Sequence, residues 1–177
     1  MLTTVKKEST AQLEVRLRFK MAIRLVRSLM PFLKLGYRAK CKRQKKLKPH
    51  NLAVAQVFKE VIRGNYPDLL IDYVALVLSE GSVHNLYNSK MLVTAGQIEL
   101  THDSSVNHKW NYYDDRVIWV LYCPILEESI SVEGKRADPS FTMTIPSRFV
   151  GLDCHHYLMV CRRDYSEFSK SNYLGKS

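Results

Sequence analysis

The clearest chemistry that this sequence offers is the binding of negative charge by a basic cluster at residues 38–48. The segment reads RAKCKRQKKLK and contains no acidic residue. Clustered lysine and arginine side chains neutralise phosphates and release counterions, and the same composition attracts anionic lipid head groups. The residues that we expect to contact a polyanion are Arg38, Lys40, Lys42, Arg43, Lys45, Lys46 and Lys48.

Part of this cluster also has the composition of a short nuclear-import signal. The four residues are Lys42, Arg43, Lys45 and Lys46. Short lysine- and arginine-rich segments serve either as localisation signals or as nucleic-acid-binding patches. A third interpretation, a solvated charged loop without a specific partner, stays open from the sequence alone.

A second set of basic residues lies at residues 13–25, which read LEVRLRFKMAIRL. Every odd position is apolar, and most even positions are charged. Alternation with a period of two is typical of a β-strand with one buried face, although apolar residues spaced by four leave a helix open. The strand interpretation places four cations on one exposed face, namely Arg16, Arg18, Lys20 and Arg24.

Together these cations make the first third of the chain strongly basic. The chain has 27 Lys and Arg residues against 17 Asp and Glu residues, a net charge of +10. Residues 15–59 contain 14 of the cations and no acidic residue, so the rest of the chain carries 13 cations against 17 acids, a net charge of −4. A local positive field of this kind attracts nucleic acid or an anionic membrane surface.

Other residues that could do chemistry form weaker patterns. The segment CHHYLMVC at 154–161 contains metal-binding residue types, but no second Cys or His pair stands at zinc-ligand spacing. The aspartates of YYDD at 112–115 are more typical of a turn than of acid–base catalysis. No glycine-rich phosphate loop or nucleophile elbow is present. We therefore expect a protein that is not an enzyme and that needs no metal or cofactor.

The elements that position these residues are predicted to form a single α+β domain. The patterns indicate helices at 51–64 and 68–81, and then short strands within MLVTAGQIEL, RVIWVLYC, ESISVEG, SFTMTI and HHYLMVCRR. We expect a mostly antiparallel sheet packed by two helices, with the domain at 11–170. A flexible arm at 1–10, a basic loop at 34–50 and a C-terminal tail at 171–177 complete the prediction. The apolar run at 69–78 is too short to cross a membrane, so membrane contact would be peripheral.

The order of these features resembles that of the rhabdovirus matrix proteins. The likeness rests on a polar arm, a first strand at 13–21, a Tyr-Pro-Asp helix entry at 66–68 and the segment FTMTIPSRF at 141–149. The chain has neither the long lysine-rich arm nor the Pro-Pro-x-Tyr motif of the animal-virus members. It is therefore more similar to a compact plant-infecting member of that family.

The resemblance implies a non-enzymatic structural protein of a negative-strand RNA virus. Such a protein self-associates, binds anionic membrane and condenses the nucleocapsid during virion assembly and budding. The implied partners are the nucleocapsid, an anionic membrane surface, further copies of the chain and the viral glycoprotein. The implied locations are the virion, the host cytoplasm, the membrane periphery and the host nucleus. The alternative is a basic nucleic-acid-binding viral accessory protein, such as a silencing suppressor.

Overall fold

The structure, a computed structural model, stacks a helical layer, a four-stranded sheet and a three-stranded sheet. It describes residues 9–44, 47–94, 96–104 and 111–177. The predicted α+β class and the antiparallel strand pairing are confirmed. The described residues form four α-helices where the sequence predicted two. Most of the predicted arm at 1–10 lies outside the described residues, and Thr10 already belongs to the first helix.

Helix α1 covers Thr10–Ser28, so the strand predicted at 13–25 is wrong. A capping box starts the helix, because the Ser9 hydroxyl accepts a hydrogen bond from the Gln12 backbone while the Gln12 side chain accepts one from the Ser9 backbone. The inner face of the helix buries Ala22, Leu25 and Val26 in the core. A helix buries only this part of the apolar set, whereas a strand would have buried every odd position.

Three further helices replace most of the basic loop predicted at 34–50. They are α2 (Met30–Gly36), α3 (Arg38–Arg43) and α4 (Pro49–Gln56), and a π-helical turn at Val57–Val61 continues α4. Lysine and arginine are good helix formers, so a high charge density does not by itself prevent a helix. Buried Tyr37 fixes the α2–α3 junction, and its hydroxyl donates to the Val77 carbonyl at 3.3 Å. The helix predicted at 51–64 therefore exists, although it begins at Pro49 and turns π-helical at Val57.

The second predicted helix, at 68–81, does not form. Strands β1 (Ile62–Arg63) and β2 (Leu70–Ile71) make a small hairpin, and a short 3₁₀ turn at Tyr73–Ala75 follows. After this turn, the backbone at 76–81 is not helical. It forms hydrogen bonds with residues 169 and 171, for example from the Ser171 amide to the Ser79 carbonyl at 3.0 Å. An apolar run that is buried on all sides fits an extended segment between two layers as well as a helix.

In the described part of the chain, seven strands form the two larger sheets. The first sheet has the order β3 (Lys90–Thr94), β4 (Gln97–Thr101) and β7 (Ser140–Thr144). The second sheet has the order β6 (Glu128–Lys135), β5 (Arg116–Cys123), β8 (His155–Cys161) and β9 (Asn172–Lys176). The tail predicted at 171–177 is therefore wrong, because most of it is the edge strand β9, which completes the hydrogen bonding of β8.

The four-stranded sheet is buried on both faces, which explains the continuous apolar run of β5. Ile118 and Val120 pack under the helical layer, while Trp119 and Leu121 pack against the three-stranded sheet. The two sheets thus form a sandwich, and the helices cover its outer side. Such sandwiches host many unrelated functions, so the fold does not by itself indicate what the protein does.

Candidate anion-binding surface of the helical layer

Two of the predicted polyanion contacts are paired with carboxylates across the seam between α3 and the sandwich. The Lys40 ammonium lies 2.5 Å from a Glu80 carboxylate oxygen, and the Arg43 guanidinium lies 3.1 Å from a Glu167 carboxylate oxygen. Both cations line a cleft of about 280 Å³ that also includes Gly81. Their positive charge is partly compensated, and their side chains help to hold α3 on the sandwich.

Other members of the basic cluster stand on an open rim. Lys34, Arg38 and Lys42 recur every fourth residue along α2 and α3 and have no carboxylate within 4.0 Å among the described residues. They border an apolar groove of about 550 Å³ whose lining includes Leu35 and Pro49. Lys48 is exposed just before α4. The predicted contacts Lys45 and Lys46, which are also half of the candidate import signal, lie outside the described residues.

Helix α1 divides the second predicted basic face into two sides. Arg16, Lys20 and Arg24 follow a spacing of four and share one side, and the exposed Arg27 extends this row. Arg18 points to the other side, where its guanidinium donates to the Ile62 carbonyl at 3.0 Å and to the Gly64 carbonyl at 2.5 Å. It also pairs with Glu14 at 2.9 Å. The expectation that Arg18 belongs to an exposed cationic face is therefore wrong, because this side chain anchors α1 to the β1 hairpin.

An apolar row that the sequence interpretation missed runs beside these cations. Val15, Phe19 and Ile23 recur every fourth residue and are 50%, 47% and 46% exposed. The strand interpretation placed all three in the core, and a helical reading of the same spacing would have separated them from the buried set. On α1 this apolar row adjoins the row of Arg16, Lys20, Arg24 and Arg27, so the outer face of the helix is amphipathic in its own right.

A groove between α1 and α4 continues this apolar row. Its volume is about 430 Å³, and Phe19, Ile23, Val54, Ala55 and Phe58 line it together with the polar residues His50, Asn51 and Lys59. The rings of Phe19 and Phe58 meet with centroids 5.0 Å apart. The helical layer therefore exposes apolar surface and cations side by side.

Charge is distributed very unequally between the two halves of the chain. Residues 1–84 carry 17 cations against 6 acids, a net charge of +11, whereas residues 85–177 carry 10 cations against 11 acids, a net charge of −1. Arg24 of the α1 row forms an ion pair with Glu127 of the sandwich. A positive field therefore surrounds the helical layer and is nearly absent from the sandwich.

A buried ion-pair cluster around Asp115 stabilises the sandwich. Asp115, which is 1% exposed, accepts hydrogen bonds from Arg136 at 3.3 Å and from Arg162 at 3.2 Å. Arg136 also donates to the His84 carbonyl at 2.6 Å and to the Asn85 carbonyl at 3.2 Å. Burial lowers the pKa of Arg136, and Asp115 opposes this shift. The cluster ties the segment before β3 to the sandwich and uses the donors of Arg136 internally.

The histidines and cysteines at 154–161 pack in the protein interior, and in the described part of the chain they do not form a metal site. Burial lowers the pKa of His156 to about 4 and raises the pKa of Cys154 and of Cys161 to about 12. His155 stacks on Tyr73 with ring centroids 3.9 Å apart. In the part of the chain that the structure describes, no three His, Cys, Asp or Glu side chains are grouped as metal ligands. The same part contains no helix that is long and apolar enough to cross a membrane.

Comparison with known proteins gives one result that covers almost the whole chain. Residues 3–175 match a family of unknown function, DUF6266. The chain belongs to this family. No curated protein and no solved structure is a significant match. The resemblance to the rhabdovirus matrix proteins therefore stays a prediction, and the segment at 13–21 that was compared with their first strand lies in α1.

Proposed function

We propose that this protein is not an enzyme and that it binds an anionic membrane surface peripherally through the helical layer. The observation that carries the proposal is the outer face of α1, which we define as the apolar row of Val15, Phe19 and Ile23 and the cationic row of Arg16, Lys20, Arg24 and Arg27. Helices with apolar and basic sides lie in the membrane interface with the apolar side among the acyl chains. Here the inner face of α1 remains in the core while its outer face is presented to a partner.

The two rows contribute by different physical effects. Basic residues near an anionic bilayer each gain about 1 kcal/mol, and this gain weakens as salt screens the surface. Apolar side chains gain about 25 cal/mol for each Å² that leaves water, and salt does not screen this term. A surface that combines both effects prefers an anionic bilayer to a neutral one and keeps part of its affinity at high salt.

The rim formed by Lys34, Arg38 and Lys42 extends the same combination across the layer, because these cations also border an apolar groove. Apolar surface between cations is useful at a bilayer interface. Phosphate groups of a nucleic acid would use the cations but would gain nothing from the apolar grooves. This difference favours a membrane over a nucleic acid as the partner.

This proposal is the membrane-binding part of the role that the matrix-protein resemblance implies. Nucleocapsid condensation, self-association, contact with a viral glycoprotein and the implied cellular locations stay predictions. Direct nucleic-acid binding is the second candidate, and the observation that favours it is the evenly spaced row of Lys34, Arg38 and Lys42.

The experiment that tests the proposal is flotation with phosphatidylcholine vesicles, with and without phosphatidylglycerol, at physiological salt. One variant combines Lys20→Gln with Arg27→Gln, and a second combines Phe19→Gln with Ile23→Gln. The matched control combines Lys135→Gln with Lys170→Gln, which removes two exposed cations from the sandwich half.

We expect the native protein and the control to float with the anionic vesicles and both α1 variants to lose most of this binding. Absence of flotation for the native protein would contradict the proposal, and so would equal flotation of all four proteins. Salt-sensitive RNA binding without flotation would favour the nucleic-acid candidate instead.

A further inference from the structure

We infer that the groove between α1 and α4, called here the α1–α4 groove, takes up one acyl chain of an anionic membrane phospholipid. This inference deepens the proposed membrane binding and rests on it. Membrane association alone needs only an amphipathic surface. The shape of this surface adds an open groove of about 430 Å³ that is lined mainly by apolar side chains.

The walls of the groove have the chemistry of an acyl-chain site. Phe19 and Ile23 come from α1, and Val54, Ala55 and Phe58 come from α4 and the π-helical turn that continues it. Among the residues that the structure describes, no acidic side chain lines the groove. Ala55 is small and exposed, so it leaves the groove open to the outside at this point. An apolar chain that enters here would replace water against five apolar side chains.

The π-helical turn at Val57–Val61 is a second feature of this site. Val57 and Val61 are fully buried, while Phe58 within the same turn contacts the ring of Phe19 and lines the groove with it. The π-helical turn therefore supplies Phe58, one of the two aromatic side chains that line the groove.

Charge at the rim selects the head group. Lys59 lines the groove itself, and Lys20 and Arg27 stand beside the apolar row of α1. None of these three cations has a carboxylate within 4.0 Å in the described part of the chain. An apolar interior with an unmatched cationic rim is complementary to an acyl chain that ends in a phosphate-linked head group. A peptide helix would need acidic residues to match the same rim.

The experiment titrates the full chain with lysophosphatidylglycerol below its micelle concentration and follows binding by calorimetry. Lysophosphatidylcholine is the neutral arm, and oleate is the arm for a free fatty acid. The variant Ala55→Phe fills the groove at an exposed helical position. The matched control Ala11→Phe places the same side chain at an exposed position in the first turn of α1.

We expect saturable binding of one lysophosphatidylglycerol per chain, at least tenfold weaker binding after Ala55→Phe and unchanged binding after Ala11→Phe. Lysophosphatidylcholine should bind at least tenfold more weakly than lysophosphatidylglycerol. Equal binding of the two lysolipids would overturn the role of the rim, and tighter binding of oleate would overturn the phospholipid as the source of the chain.

Vesicle flotation of the same proteins separates this inference from the proposed function. Flotation of the native protein without lysolipid binding would overturn the groove inference and leave peripheral membrane binding in place. Lysolipid binding without flotation would contradict the proposed function. A native dimer that Ala55→Phe dissociates, measured by light scattering, would overturn the inference by showing that a second copy covers the groove.

Discussion

The helical layer and the sandwich share one core but leave different surfaces to the solvent. In the sandwich, several exposed cations pair with carboxylates, such as Arg148 with Glu128 and Lys176 with Asp153. In the helical layer, Lys20 and Arg27 stand beside apolar side chains that are about half exposed. The sandwich therefore pairs its arginines with its own carboxylates, whereas the helical layer places cations beside exposed apolar surface that is open to a partner.

Removing Asp115 is expected to give the largest loss of stability. Asp115→Ala leaves the guanidinium groups of Arg136 and Arg162 without their carboxylate in the sandwich, and breaking a buried pair in this way costs about 3 to 5 kcal/mol. Urea unfolding measures the free energy of unfolding of the variant. Asp114→Ala removes a half-exposed carboxylate that pairs with Arg163 and is the matched control, with a much smaller expected loss.

At a temperature where Asp115→Ala stays folded, we expect this variant to float with anionic vesicles as the native protein does. Loss of flotation by the folded variant would show that the sandwich takes part in membrane contact.

Two neighbouring cations of α1 provide a sharper test within a single helix. Arg18→Ala removes the hydrogen bonds to the carbonyls of Ile62 and Gly64 and should cost about 2 to 3 kcal/mol of unfolding free energy. Lys20→Ala lies on the outer face and should change stability by less than about 0.5 kcal/mol. Vesicle affinity should show the reverse order, with a larger loss for Lys20→Ala. A similar effect of both substitutions on both quantities would contradict the division of α1 into an anchoring side and an outer face.

Acid should destabilise the sandwich through His156. Burial lowers the pKa of His156 in the folded state to about 4, below the unfolded value of about 6.5. The unfolded chain therefore binds a proton that the folded chain does not, and this contribution to stability is complete above pH 6.5 and is lost as the pH falls towards 4. By pH 5 the loss should be about 2 kcal/mol, measured by urea unfolding. The variant His156→Gln should show a flatter pH dependence, and an unchanged slope would contradict the assignment to His156.

The sandwich was largely predictable because its strands carry their own local signal. RVIWVLYC at 116–123 is apolar and β-branched, and it forms β5 over the same residues. The short edge strand β9 was missed because NYLGK contains a glycine and becomes a strand only by pairing with β8. The helical layer was predicted less well, because the apolar residues at 13–25 fit both the period of two of a strand and the spacing of four of a helix. The capping box at Ser9 is the local feature that favours the helix.

The candidate site was predictable in its charge but not in its arrangement. The composition identifies the cations, whereas the partners of Lys40 and Arg43 lie 40 and 124 residues further along the chain. No local pattern reports such distant contacts. The exposed apolar row of Val15, Phe19 and Ile23 emerged only after the helix and its buried face were known.

Hydrogen exchange followed by mass spectrometry, with and without phosphatidylglycerol-containing vesicles, tests the central claim most directly. We predict slower exchange in peptides from α1 (Thr10–Ser28) and from α4 with its π-helical turn (49–61), and unchanged exchange in β3, β4 and β6. Protection that is confined to the sandwich, or that is absent although the protein floats with the vesicles, would contradict the assignment of the helical layer as the membrane-binding surface.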